Sequence, residues 1–165
     1  MGAAGALSSQ NEGTPRGRSS IQSMPEPALT PHVLVIDDCE IARAEMSHRL
    51  VKAGFKVSHL ASPIGATRVI VDQAIDVVVI DVQMPSIRGD RLAALFRGNP
   101  RFAALGVILV TGGDEAELDE LGAVAKADAV LSKGRLDRLV DLVKDTFRRR
   151  RAGQPKQRSE RPQAR

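Results

Sequence analysis

Short apolar runs separated by helical patterns constrain the fold more than any other feature of this sequence. Four of the five runs are nearly continuous and rich in β-branched residues, which is typical of strands covered on both faces. The fifth alternates apolar and polar residues and therefore suits the edge of a sheet. The runs are HVLVI (32–36), DVVVI (76–80), GVILV (106–110), AVL (129–131) and the alternating KVSHL (56–60). Because strand and helix alternate five times, we predict an α/β fold: a doubly wound, five-stranded parallel sheet with five helices.

Three local signals support the predicted helices. Apolar residues from Leu136 to Phe147 recur at the spacing of one helix face. Ser62-Pro63 has the residue types favoured at a helix N-cap and first turn, so it predicts the start of the second helix. Asp114 and Glu117 form a capping-box pattern, which predicts a helix between the fourth and fifth strands.

The two ends of the chain differ in composition from the middle. Residues 1–31 are rich in Gly, Ser, Pro and Ala, which bury too little apolar surface to offset the entropy of ordering, so we predict a disordered arm. Residues 148–165 contain eight Lys or Arg and one Glu without apolar periodicity, which predicts a basic disordered tail. The net charge of +4 comes from this tail, because residues 32–147, the predicted domain, are mildly acidic. The tail is either a solubilising extension or a salt-dependent contact with nucleic acid or an acidic membrane.

Several composition signals exclude other classes of protein. A single cysteine, Cys39, excludes a disulfide framework within the chain and a multi-cysteine zinc site. No apolar stretch has the length of a signal peptide core or a membrane span, so we expect a cytoplasmic protein. We expect Cys39 to be buried filler, and His32, His48 and His59 to be edge or surface residues rather than metal ligands.

Polar residues follow four of the predicted strands: Asp37 and Asp38, Asp81, Thr111, and Lys133. Each has an ordinary structural explanation by itself, such as a helix cap, a turn or a surface lysine. The carboxyl ends of parallel strands, however, meet at one edge of the sheet, where ligands of such folds bind. Three carboxylates there repel one another unless protons or a cation neutralise them, and oxygen ligands suit Mg²⁺ or Mn²⁺. A carboxylate, a hard metal, a lysine and a hydroxyl are the groups needed for phosphoryl transfer to an aspartate.

The ordered set of these residues resembles the receiver domain of two-component response regulators over roughly residues 32–147. The resemblance rests on an acidic pair, a D-x-x-M-P-x-x-x-G pattern, a hydroxyl and a lysine, here Asp37, Asp38, Asp81, Met84, Pro85, Gly89, Thr111 and Lys133. It implies a flavodoxin-like sheet with strand order 2-1-3-4-5. It also implies a protein that accepts a phosphoryl group and docks to partners, and that is not a turnover enzyme.

The resemblance assigns a role to each matching position. Asp81 would accept phosphate from a histidine kinase or a phosphotransfer protein. Lys133 would pair with the phosphoryl group, and Thr111 would donate a hydrogen bond to it. The downstream protein partner is unknown, and a chain without a further periodic segment is expected to act as a stand-alone receiver.

The metal ligands implied by the resemblance come from two loops. Asp38 and Asp81 would ligate Mg²⁺ directly, and Asp37 would hold it mostly through water. The backbone carbonyl of Gln83 would complete the protein ligands.

Two positions depart from the receiver pattern. Val130 stands where receivers usually carry Tyr or Phe, and Gly134 stands where they usually carry a proline, often after a cis bond. An altered switch leaves open a second hypothesis, a receiver-fold scaffold whose binding ignores phosphorylation. A third, a metal-dependent phosphatase of the haloacid dehalogenase type, requires D-x-D after the first strand, whereas this chain has Asp37-Asp38-Cys39.

Overall fold

The computed structural model describes residues 30–113 and 125–153, together with the isolated positions 1 and 120. The strands of this part of the chain are β1 (His32–Ile36), β2 (Lys56–Leu60), β3 (Val77–Asp81), β4 (Gly106–Thr111) and β5 (Ala129–Ser132). They form one sheet in the order β2-β1-β3-β4-β5, and all neighbouring strands are parallel. The predicted fold class and strand order are therefore confirmed, and the alternating run β2 lies at an edge.

The helices that cover this sheet follow the strands in sequence. They are α1 (Glu40–Lys52), α2 (Ala66–Asp72), α3 (Gly89–Gly98) and α4 (Leu139–Ala152), with 3-10 turns at Pro100–Phe102 and Lys133–Arg138. The helix predicted from Asp114 and Glu117 lies outside the described residues. In the part of the chain that the structure describes, no helix is long and apolar enough to cross a bilayer.

Each face of the sheet has its own apolar core, because successive side chains of a strand point to opposite faces. On one face the strand residues pack against α1 and α4 through Met46, Leu50, Leu139 and Val143. On the other face they pack against α2 and α3 through a second set of apolar side chains, namely Ile70, Leu92, Ala93 and Phe96. Burial on both sides explains why the strands read as continuous apolar runs.

The second helix begins later than its sequence signal predicts. Ser62 does not cap it: the Ser62 hydroxyl accepts a hydrogen bond from the backbone N–H of Ile64, two residues on, at 3.2 Å. The helix starts at Ala66 after Gly65, whose φ of 84° is left-handed and favours glycine. A serine hydroxyl can accept a backbone hydrogen bond in a turn as readily as at a helix end, so the Ser-Pro pair alone did not locate the start of this helix.

The last helix extends past the boundary predicted at residue 147. It ends at Ala152, so residues 148–152 are helical and that part of the tail prediction is wrong. A contact distant in sequence explains the extension: Arg150 donates from Nε to Asp128 Oδ1 at 2.8 Å and from Nη1 to the carbonyl oxygen of Ala103 at 3.1 Å. Residues 2–29 and 154–165, which hold most of the predicted arm and tail, lie outside the described residues.

His32 is the first residue of β1, which has a neighbouring strand on each side, and it is buried, so the expectation of an edge or surface residue is wrong for this histidine. Its Nδ1 lies 2.9 Å from the carbonyl oxygen of Gln73, and its Nε2 lies 2.9 Å from the hydroxyl of Ser58. Its backbone N–H donates to Asp76 Oδ2 at 2.8 Å. The ring therefore joins β1, β2 and the end of α2, which is a structural role.

Asp128 offers a direct test of what holds the last helix in place. Its side chain is only 14% exposed and pairs with both Arg97 and Arg150, while also accepting from the Val107 N–H. Removing the shared acceptor leaves two arginines without their buried partner, so Asp128→Ala should lower the free energy of unfolding by about 3–5 kcal/mol. Urea unfolding followed by circular dichroism measures this change.

The matched control for Asp128 is Asp72, whose ion pair with Arg68 is exposed at 58% and 87% for the two side chains. Asp72→Ala should change the free energy of unfolding by less than about 1 kcal/mol. Equal effects of the two substitutions would contradict the role assigned to Asp128.

Candidate functional site

The sheet brings the predicted site residues to one edge. Asp37 directly follows β1, Asp81 ends β3, Thr111 ends β4, and Lys133 directly follows β5. Because Ile36 pairs with Ile80 and Thr111 pairs with Ser132, these strands end at nearly the same level. Parallel register thus places residues that are far apart in sequence side by side.

Three carboxylates form a compact cluster at this edge. Asp37, Asp38 and Asp81 each offer an oxygen, and these oxygens lie within 4.8 Å of one another. Asp37 and Asp81 are 0% and 2% exposed, whereas Asp38 is exposed to solvent. Two carboxylates of the cluster are therefore buried, and the third is exposed to solvent.

Lys133 lies between the two buried carboxylates. Its Nζ is 3.0 Å from Asp37 Oδ2 and 3.1 Å from Asp81 Oδ1. Within the described residues, both oxygens lack a hydrogen bond of favourable geometry. The lysine therefore offsets the negative charge without a full hydrogen-bond network around these two oxygens.

The pKa values of the site reflect burial and mutual charge. Burial raises the pKa of Asp81, and the nearby Asp37 charge adds to the rise, although Lys133 partly opposes it. Burial by itself lowers the pKa of Lys133, but its close contacts with the Asp37 and Asp81 carboxylates and their negative charges outweigh this effect, so the net pKa is raised. Lys133 is consequently cationic at neutral pH, beside an aspartate whose ionised form is destabilised.

The backbone around Asp37 holds its side chain in a defined position. Asp37 Oδ1 accepts a hydrogen bond from the N–H of Cys39 at 2.8 Å, and the Asp37 N–H donates to the carbonyl oxygen of Leu60 at 3.2 Å. Arg43, which the sequence analysis did not single out, donates from Nη1 to the carbonyl oxygen of Asp37 at 2.7 Å. Cys39 itself is exposed, so the expectation of a buried filler residue is wrong.

The segment after Asp81 explains the spacing of the D-x-x-M-P-x-x-x-G pattern. A Cβ on Gly89 would lie 2.1 Å from the carbonyl oxygen of Asp81, and this distance is too short for any side chain to fit. The loop closes where the Gly89 N–H donates to the carbonyl oxygen of Val82 at 3.0 Å, while Met84 is buried in the core. Gln83 is exposed, and a hydrogen bond from its backbone partly offsets the raised pKa of Asp81. The role of the Gln83 carbonyl as a metal ligand stays a prediction.

Thr111 and the turn after Lys133 complete the edge. Thr111 is fully buried, and its Oγ1 accepts a hydrogen bond from the Gly113 N–H at 3.1 Å. Its hydroxyl proton therefore keeps its capacity to donate.

Gly134, at the position where receivers usually carry proline, takes part in a local hydrogen bond instead. The Gly134 N–H, which a proline would lack, donates to Ser132 Oγ at 3.2 Å, so the residues on both sides of Lys133 are joined. Val130 is partly buried and packs against the same core as α2 and α3. The effect of Val130 on signal transmission stays a prediction.

Comparison with known proteins identifies the family to which these site residues belong. A family model described as the response regulator receiver domain matches residues 33–144. The chain belongs to this family. The predicted resemblance is confirmed, and family membership favours a receiver over the haloacid dehalogenase alternative.

Individual relatives are distant and include longer proteins. The TorCAD operon transcriptional regulatory protein TorR of Escherichia coli K12 is 27% identical over 102 residues, which cover 62% of this chain and 43% of TorR. The chain thus spans less than half the length of that relative.

Solved structures share the fold along nearly their whole length. The receiver domain of a Francisella response regulator is 26% identical with a TM-score of 0.65, covering 73% of this chain and 98% of that one. The Thermotoga maritima response regulator TrrA, solved in complex with Mg²⁺ and BeF, is 24% identical with a TM-score of 0.61, covering 71% and 99% of the two chains.

The close approach of Gly89 to Asp81 yields a prediction for the site. Gly89→Ala forces the loop away from the Asp81 carbonyl, so we expect the free energy of unfolding to fall by about 1–3 kcal/mol. Gly98, also in α3, has open space around its position, so Gly98→Ala should be neutral or stabilising by up to about 1 kcal/mol. Denaturant unfolding of the two variants measures the difference, and a Gly89→Ala protein as stable as wild type would contradict the packing argument.

The raised pKa of Asp81 predicts a pH dependence of stability in metal-free protein. An acid whose pKa is higher in the folded state holds its proton longer there, so its contribution to stability falls as the pH rises from the ordinary value of 3.8 to the raised one. Asp81→Asn abolishes this loss, so it should melt at a higher temperature than wild type at neutral pH. The difference should vanish well below pH 3.8, where the Asp81 carboxyl is protonated in both the folded and the unfolded state. Melting in the presence of a chelator tests this, and a destabilised Asp81→Asn variant at neutral pH would contradict it.

Proposed function

We propose that this receiver accepts a phosphoryl group on Asp81 from a histidine kinase or a phosphotransfer protein and passes the signal on by docking to a partner. The observation that carries the proposal is the pairing of buried Asp81 with Lys133 beside two further carboxylates. Structural ion pairs are also buried in proteins, but this pair belongs to a group of three carboxylates at the edge of a parallel sheet where ligands bind. Membership of the receiver family supports the same role.

We also propose that the site uses Mg²⁺, and the residues present suit that ion. The cluster offers only oxygen ligands, and Asp37 Oδ2 and Asp81 Oδ1 are buried without a well-formed hydrogen bond in the described residues. Such hard oxygens are what Mg²⁺ prefers. The carboxylates of Asp37, Asp38 and Asp81 and the carbonyl of Gln83 would hold it. When bound, the ion supplies positive charge that offsets the charge of the transferred group.

The chemistry that we propose for the protein residues is a single substitution at phosphorus. An oxygen of the ionised Asp81 carboxylate forms a P–O bond as the P–N bond of a phosphohistidine breaks, and the departing imidazole takes the electron pair and a proton from solvent. Lys133 balances the phosphoryl charge, and the Thr111 hydroxyl donates a hydrogen bond to a phosphoryl oxygen. The product is an acyl phosphate, so the protein is the acceptor of the group and does not turn over a separate substrate.

Val130 bears on how the domain transmits its signal to a partner. An aliphatic side chain has no ring to turn between two positions, so we propose that the signal leaves by another route or is weak. The second candidate, a scaffold that ignores phosphorylation, is favoured by this same residue.

As part of the proposal the domain works in the cytoplasm, where kinases have access to ATP. Contact of the basic tail with nucleic acid or an acidic membrane stays a hypothesis.

A phosphodonor experiment tests the proposed acceptor. Incubation with acetyl phosphate and Mg²⁺ should add one phosphate to the wild-type protein and none to Asp81→Asn, as read by intact mass. Asp72→Asn, which removes an exposed carboxylate at the end of α2 and outside the cluster, should be phosphorylated like wild type. Modification of Asp81→Asn to the wild-type extent, or no modification of wild type, would refute the proposal.

The same samples separate the two candidates for output. Amide chemical shifts recorded before and after phosphorylation should change beyond the residues around Asp81 if the domain switches. Changes confined to the residues around Asp81 would support the scaffold hypothesis.

A further inference from the structure

Arg43 connects the first turn of α1 to the end of β1. Its Nη1 lies 2.7 Å from the carbonyl oxygen of Asp37, and its backbone N–H donates to the carbonyl oxygen of Cys39 at 3.0 Å. The paired residues of β1 in both neighbouring ladders end at Ile36, so the Asp37 carbonyl lies beyond the sheet hydrogen bonds. The guanidinium supplies the partner that this carbonyl would otherwise need from water.

The Asp37 carbonyl belongs to the peptide unit that leads into Asp38. A peptide unit is planar, so a hydrogen bond that fixes the oxygen also fixes the direction in which the chain enters Asp38. Asp38 is exposed, and its carboxylate takes part in no side-chain hydrogen bond or ion pair with the rest of the described chain. Its position therefore depends on its backbone, in contrast to Asp37, which is held at Oδ1 by Cys39 and at Oδ2 by Lys133.

We infer that Arg43 is a positioning residue for the cation site: by holding the Asp37–Asp38 peptide, it directs the exposed Asp38 carboxylate toward the buried oxygens of Asp37 and Asp81. This inference rests on the proposed function only in so far as the cluster binds Mg²⁺. A charged donor suits the task because a hydrogen bond from an ionised group is stronger than a neutral one. Arg43 does not itself touch the cation.

The charge of Arg43 makes the inference testable by the direction of the effect. A fixed positive charge near three carboxylates repels an incoming cation, so removing the charge alone should strengthen Mg²⁺ binding. Losing the hydrogen bond to Asp37 should weaken it, because the Asp38 carboxylate is then less ordered. The two explanations predict changes of opposite sign for Arg43→Met.

Calorimetric titration of the full, unphosphorylated chain with MgCl₂ measures these changes. We expect Arg43→Met to raise the dissociation constant about five- to tenfold. In a background of Asp38→Asn, adding Arg43→Met should change the constant less than about twofold, because residues that act through one another are not additive. Arg49→Met is the matched control: Arg49 lies on the same helix and pairs with exposed Glu45 at 2.8 Å, so this variant should bind like wild type within about twofold.

Several results would overturn the inference. Tighter Mg²⁺ binding by Arg43→Met would show that only its charge matters, and a lowered melting temperature with an unchanged dissociation constant would show a purely structural role. Full additivity with Asp38→Asn, or no Mg²⁺ binding by wild type, would also refute it. Should Arg43→Met fail to fold, Arg43→Lys, which keeps the charge but lacks the planar guanidinium, is compared with Arg49→Lys by the same criterion. Failure of Asp81 phosphorylation alone would leave these titrations valid, so the two proposals fail separately.

Discussion

Two buried carboxylates held beside one lysine are the interaction on which the site depends. Asp37 and Asp81 are nearly inaccessible to solvent, and ionised carboxylates at such short separation repel each other strongly. Lys133 offsets this repulsion because its Nζ lies 3.0 Å from an Asp37 oxygen and 3.1 Å from an Asp81 oxygen. Burial nevertheless keeps the pKa of Asp81 raised, so a cation at the same edge would further stabilise its ionised carboxylate.

The segments around this ion pair are organised so that its three members keep their places. The Asp81 loop depends on Gly89, which approaches a carbonyl more closely than any side chain allows. The Lys133 turn depends on a hydrogen bond between Ser132 and Gly134. Both devices act on the backbone. They explain how the site keeps its geometry even though the residue after the lysine differs from the usual proline.

Much of the fold was predictable because burial on both faces leaves a direct trace in the sequence. The runs at residues 76–80 and 106–110 read as strands because their apolar side chains, at residues 77–80 and 107–110, alternate between two helix-covered cores. The site was predictable for a related reason: polar residues such as Asp81 and Thr111 directly follow or end those runs. The predictions that failed concern single boundaries and exposures. The extension of α4 depends on Asp128, and the burial of His32 depends on Ser58 and Gln73, all of which are distant in sequence.

The sequence by itself determined the succession of strands and helices along the chain, the edge of the sheet at which the polar residues gather, and the kinds of ligand that this edge suits. These properties follow from local periodicity and residue chemistry. Only the tertiary structure decided which oxygens Lys133 faces, which carboxylate stays exposed, and that Arg43 holds the peptide before Asp38. Distances between side chains on different strands and helices depend on how those elements pack, and no local pattern in the chain records that packing.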